Sequence, residues 1–166
     1  MRVLFLGYGN PGRQDDGLGP AFIEELEKEG LPGVAAGSDY QLTVEDAAAV
    51  AQSEVVVFVD ASFEGERAFD FRPLEAGSSI SFTSHRMAPE ELLALAKNLF
   101  AARPKAYLLT IRGYEFSGFG EGLSSQAQMN LNAALNFVKD WLLSQGVQVA
   151  EAEDKGALQS KKAANL

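Results

Sequence analysis

The run from Glu54 to Val59, EVVVFV, constrains the fold more than any other stretch of the chain. β-Branched and aromatic side chains with no polar interruption suit a strand buried on both faces, and such strands belong to parallel sheets covered by helices on either side. Val3-Leu4-Phe5-Leu6 repeats the pattern at the start of the chain. Between these runs, Phe22, Ile23 and Leu26 follow Gly19-Pro20 at helical spacing, so a helix is expected from there to about Gly30. A second strand is expected over Val34 to Asp39 and a short alanine-rich helix over Glu45 to Gln52. Ala68 to Pro73 and Ser78 to Phe82 read as shorter strands around a turn at Glu75-Ala76-Gly77. Pro89 opens a helix through Leu92, Leu95 and Leu99, Lys105 to Ile111 is a strand, and Ser124 caps a long helix that stops near Gly146.

Strands alternating with helices imply one α/β domain over residues 1–150, with a twisted, mostly parallel sheet between two helical layers. A length of 166 residues suits a single core. Residues 151–166 are polar and alanine-rich, with no pattern able to fix them by their own packing, and read as a C-terminal tail.

Composition removes several classes of function. The chain has no cysteine, so thiolate nucleophiles, disulfides and sulfur metal ligands are all absent. A formal charge of -9 repels nucleic acid and anionic lipid headgroups. No apolar window reaches membrane-spanning length and no signal peptide is evident, so a cytoplasmic protein is expected, without nucleic-acid or membrane partners and acting as a monomer.

The chemistry gathers after the strands. Gly7 to Gly19 read GYGNPGRQDDGLG, directly after the first apolar run. Glycines there allow backbone to approach a ligand, and Asp15 and Asp16 add carboxylates. In open parallel sheets ligands bind beyond the carboxyl ends of the strands. Asp16 follows the first strand, Asp39 and Asp60 end the second and third, and His85 follows the fourth hydrophobic segment, so all four fall at that end. Two carboxylates and an imidazole form an O,O,N set suited to nickel, zinc or cobalt with open positions for an outside ligand. Each residue has a plainer alternative. His85 is also an ordinary polar loop residue, Asp39 and Asp60 are also good turn or helix caps, and Asp15 and Asp16 are also solvated turn residues. Convergence of the four is what favours a site. Gly7-Tyr8-Gly9-Asn10-Pro11-Gly12 also satisfies the dinucleotide fingerprint GxGxxG, but that fingerprint needs a helix to start within the glycine turn, where Pro11, Gly12, Gly17 and Pro20 delay it and two acids would face the phosphates.

Taken together, GYGNPGRQDDGLG, Asp60 in VVFVDAS, His85 in TSHRM and the GFGEGLSS loop before the last helix resemble the hydrogenase maturation proteases over most of residues 1–145. The resemblance implies an endopeptidase that removes a C-terminal extension from the large-subunit precursor of a nickel-iron hydrogenase after nickel insertion. It implies that Asp16, Asp60 and His85 contact the metal, with nickel supplied by the precursor or another divalent ion in its place, and that Asp39 is a further acid near the cleft. Asp16, Asp60 and Asp39 are the carboxylates expected to take part in hydrolysis, either through a metal-polarised carbonyl or as general base. The glycines would hold the lip open for the peptide, with Asp15 shaping the turn. Arg112, Glu115 and Glu121 read either as groove residues or as solvated loop residues. A non-catalytic metal- or peptide-binding chaperone built on the same loops is the alternative, and a dinucleotide enzyme a more distant one.

Overall fold

The computed structural model describes residues 1–78 and 87–149. The strand expected over Ser78 to Phe82, the segment carrying His85, and the tail from residue 151 therefore lie outside the described residues, apart from Ser78 itself.

Chain order is β1 (Val3–Tyr8), α1 (Leu18–Lys28), β2 (Val34–Asp39), α2 (Asp46–Ala51), β3 (Val55–Ser62), β4 (Phe69–Leu74), α3 (Pro89–Phe100), β5 (Lys105–Arg112) and α4 (Ser125–Ser144). The sheet order is β2-β1-β3-β5-β4; all pairings are parallel except that of β4 with β5, which is antiparallel and closes one edge. The chain leaves β1 toward β2 on one side and then crosses to β3 on the other, so the crossovers diverge between β1 and β3. That divergence opens a crevice at the carboxyl ends of these two strands.

Alternate residues of each central strand face opposite layers, as the two-residue strand period requires. Val3, Phe5, Val55, Val57, Val59, Leu109 and Ile111 meet α1 and α4, whereas Leu4, Leu6, Val56, Phe58 and Ala106 meet α2 and α3. β1 and β3 are buried on both faces, which is why their sequences are unbroken apolar runs. Against the α4 layer, Phe71 stacks on Tyr107 at 4.9 Å and meets Phe137 and Trp141 edge-on, which anchors the antiparallel edge.

Two glycines of the motif let α1 lie unusually close to the sheet. A Cβ on Gly19 would stand 2.5 Å from the Tyr8 carbonyl oxygen and 2.7 Å from that of Val59, and one on Gly7 would stand 2.6 Å from the Gly19 oxygen. Gly9, at φ +141°, and Gly17 are equally filled, facing the Asp16 carbonyl and Pro11. The expectation that these glycines hold a lip open is therefore corrected: they are consumed by packing of the motif on itself and of α1 on the sheet. Gly12, by contrast, donates its N–H to Asn10 Oδ1 at 2.9 Å and closes the turn.

Candidate functional site

Asp16 sits in a 3-10 turn over Gln14–Gly17, immediately before α1. Its Oδ2 accepts the Asn10 backbone N–H at 2.8 Å, so the asparagine turn and the acid fix one another. Asp60 arrives from β3. The strand runs on through Ser62, so Asp60 is a strand residue near the end rather than the first residue beyond it. Parallel register pairs Gly7 with Val59, which sets Tyr8 beside Asp60 on the same face of the sheet. Asp16, Asp60, Tyr8 and Arg13 line one cleft of about 530 Å³, walled by Tyr40, Leu42 and Met87 on one side and Phe116 on another. This cleft is the crevice between β1 and β3.

Within the cleft the Asp60 carboxyl is strongly perturbed. Burial pushes the Asp60 carboxyl up to about 6; the Ala61 N–H and the Tyr8 phenol oppose that, and the negative charge of Asp16 adds to it. Tyr8 is also raised, first by burial and then by the charge of Asp60, so it stays a neutral hydrogen-bonding phenol across the physiological range. Tyr8 was not among the residues singled out from the sequence. The available signal was the alternation Leu4, Leu6, Tyr8, which places a phenol on the face where Asp60 emerges.

Asp39 lies at the same end of the sheet but is not brought to the other two. It is exposed, its Oδ1 accepts the Tyr40 N–H at 2.6 Å, and it borders a separate depression of about 150 Å³ with Asp46. Its backbone carbonyl accepts the Gly9 N–H at 3.1 Å, tying β2 to the motif. His85 lies outside the described residues, and among those residues no three His, Cys, Asp or Glu side chains converge as a metal cluster.

Asp15 has the structural role expected of it and not the plainer alternative. It is fully buried rather than a solvated turn residue. Its Oδ2 accepts from the Tyr114 N–H at 2.8 Å, the Glu115 N–H at 2.9 Å and the Ser124 hydroxyl at 2.7 Å, and its Oδ1 accepts from the Ser124 N–H at 2.8 Å. Burial alone would raise its pKa, but the hydrogen bonds from Glu115, Ser124 and Tyr114 outweigh burial and hold the carboxyl below its ordinary value. Ser124 is also the N-cap of α4, accepting the Ala127 N–H at 3.3 Å, so Asp15 joins the motif, the loop after β5 and the start of α4 at one anion.

The loop after β5 is held to the motif at further points. Gln14, itself at φ +53°, donates its N–H to the Gly120 carbonyl at 3.1 Å, and its Oε1 accepts the Gly118 N–H at 3.2 Å. Arg112 is a brace rather than a groove or solvated residue: its Nε donates to the Gly65 carbonyl at 2.9 Å, another guanidinium nitrogen donates to the Gly113 carbonyl, and it lies 4.5 Å from the Tyr114 ring. Glu115 and Glu121 are exposed; Glu121 faces a groove on the opposite side of the motif.

Fold and crevice together define a three-layer α/β protein with a carboxylate-lined cleft at the carboxyl ends of its central strands. In particular, the chain is similar to the hydrogenase maturating endopeptidase HybD from E. coli, with 23% identity, coverage of 93% of this chain and 99% of that one, and a TM-score of 0.69. It is also similar to the [NiFe] hydrogenase maturation protease HycI from Thermococcus kodakarensis, with 18% identity, coverage of 84% and 90%, and a TM-score of 0.65. A hydrogenase 2 maturation peptidase from a Thaumarchaeota archaeon gives 23%, 89% and 100%, and 0.62. At these identities the likeness shows the fold. No protein-family model and no curated protein sequence matches the chain.

The geometry is unlike a dinucleotide site. α1 starts at Leu18, well beyond the GxGxxG glycines, and the space in front of those glycines is taken by the chain itself. What the crevice offers instead, among the described residues, is a pair of carboxylates, the Tyr8 phenol and the Arg13 guanidinium.

Proposed function

We propose that the chain is an endopeptidase that removes the C-terminal extension of a nickel-containing hydrogenase large-subunit precursor. The observation that carries this reading is the meeting of Asp16 and Asp60 in one cleft, where burial and the charge of Asp16 raise Asp60 to about 6. A cleft holding two carboxylates that repel each other favours a cation, and oxygen donors suit a divalent ion. The residues thus fit the nickel of the precursor, or another divalent ion, with His85 as the expected third ligand.

In this reading nickel belongs to the substrate, and binding it checks that the precursor is mature. Asp16, locked by the Asn10 N–H, keeps its carboxylate fixed at the cleft wall. Asp60 is the carboxylate assigned to the water that attacks the scissile carbonyl, either through the cation it contacts or as general base. Tyr8 supplies the phenol that keeps Asp60 oriented. Asp39, outside the cleft, is assigned to holding the end of β2 rather than to bond cleavage. The protein works in the cytoplasm as a monomer.

Asp16→Ala and His85→Ala are expected to abolish removal of the extension, followed by the mass of nickel-loaded precursor, while circular dichroism shows an unchanged fold. Retained cleavage by either variant would take that residue out of the mechanism.

A further inference from the structure

Among the described residues, four of the five strongly exposed aromatic side chains, Tyr40, Phe63, Tyr114 and Phe119, lie on loops at the carboxyl end of the sheet. Phe63 follows β3 and is 70% exposed; Phe119 follows β5 and is 91% exposed. Phe116, on the same loop as Phe119, also walls the cleft. Phe63 meets the Phe116 ring edge-on with centroids 6.4 Å apart. Arg13 donates from its guanidinium to the Phe116 carbonyl at 3.4 Å and lies 5.9 Å from the Phe119 ring, fastening this ridge to the motif that carries Asp16. The ridge is also prearranged. The Phe116 ring tip is seated where a side chain on Gly113 would be, 2.8 Å from that Cβ position, so the ring is already packed before any partner arrives.

Exposed aromatics and arginine are the residues that dominate protein recognition, and a contiguous exposed apolar surface on a soluble chain marks a contact site. A second copy of this chain is a poor occupant, because like net charges of -9 oppose self-association. A peptide entering the cleft past Phe116 has to cross the ridge, since Phe116 belongs to both. We propose that the ridge of Phe63, Phe116 and Phe119 docks an extended, apolar segment of the precursor flanking the scissile bond, with Arg13 binding a carbonyl or carboxylate oxygen of that segment. The assignment of the occupant rests on the endopeptidase reading above.

The test uses the full-length chain and nickel-loaded large-subunit precursor. Phe63→Ala combined with Phe119→Ala removes two exposed rings that the fold does not need. The double variant is expected to raise the Kd for precursor and the KM at least tenfold, with kcat within twofold of the parent chain. An unchanged Kd and KM would overturn the proposal, as would a fall in kcat at unchanged KM. A dimer of the free chain that dissociates in the double variant would overturn it too, by giving the ridge to a second copy. If the parent chain binds precursor without cutting it, the endopeptidase reading fails, and the tenfold change in Kd still decides the ridge.

Discussion

Asp15 and Asp16 are neighbours in sequence and opposites in environment. Asp15 is a buried anion satisfied by four donors, so its charge holds three segments together; Asp16 turns the other way, toward the cleft. Nothing in the letters DD distinguishes them, because the distinction comes from donors roughly a hundred residues away at Tyr114, Glu115 and Ser124. Asp60 was readable as an acid at the end of a buried strand, but its proton affinity was not, since that depends on burial and on Asp16. The sign of its effect on stability follows. A carboxyl held near 6 in the folded chain and at its ordinary value of 3.8 in the unfolded chain binds more protons when folded, so stability falls as pH rises from about 4 to about 6. Asp60→Asn removes that loss. In the presence of chelator it is expected to stabilise the chain by about 1–2 kcal/mol at pH 7 and by almost nothing at pH 4, measured by urea unfolding, while abolishing processing. An equal effect at both pH values would show that Asp60 is not raised.

At the scale of elements, the central strands and the helices were legible because their apolar patterns have clear periods. The ends of β2, α3 and α4 fall within a residue or two of those expected, helped by Pro89 at the first turn of α3 and Ser124 at the cap of α4. The direction of β4 was not legible. Antiparallel and parallel strands share a two-residue period, and only pairing with β5 reveals which one has formed. The purpose of the motif glycines was hidden for a similar reason, since close packing and an open approach to ligand demand the same residue. Gly19→Ala separates them. Its Cβ would meet two carbonyl oxygens of the sheet, neither able to rotate away, so α1 must lift and carry Asp16 with it. A loss of about 2–3 kcal/mol is expected on thermal or urea unfolding, with processing reduced. Gly30→Ala, at φ +59° but with open space around it, should cost only about 1 kcal/mol and leave processing intact. Similar costs at the two positions would contradict the close-packing account.

For the whole molecule, the divergence of crossovers between β1 and β3 places the crevice, and the loops after β1, β2 and β5, the end of β3 and the start of α3 furnish its walls. The rule that ligands lie at the carboxyl end of the sheet led from the sequence to Asp16 and Asp60, yet it could not tell that Asp39, at the same end, borders a different depression beside β2. Strand order decides that, and order is set by long-range packing rather than by local pattern. Among the described residues no helix is long and apolar enough to cross a membrane, and the acidic chain presents its aromatic surface around the crevice. The function proposed for this crevice is to admit a peptide between two carboxylates and to respond to the metal the peptide's protein carries. The most direct test is intact-mass measurement of large-subunit precursor after incubation with the purified chain, with the precursor prepared with and without nickel. Loss of the C-terminal extension from the nickel-loaded precursor alone is the expected result. A stable complex whose precursor keeps its full mass would contradict it and leave a binding protein in place of an endopeptidase.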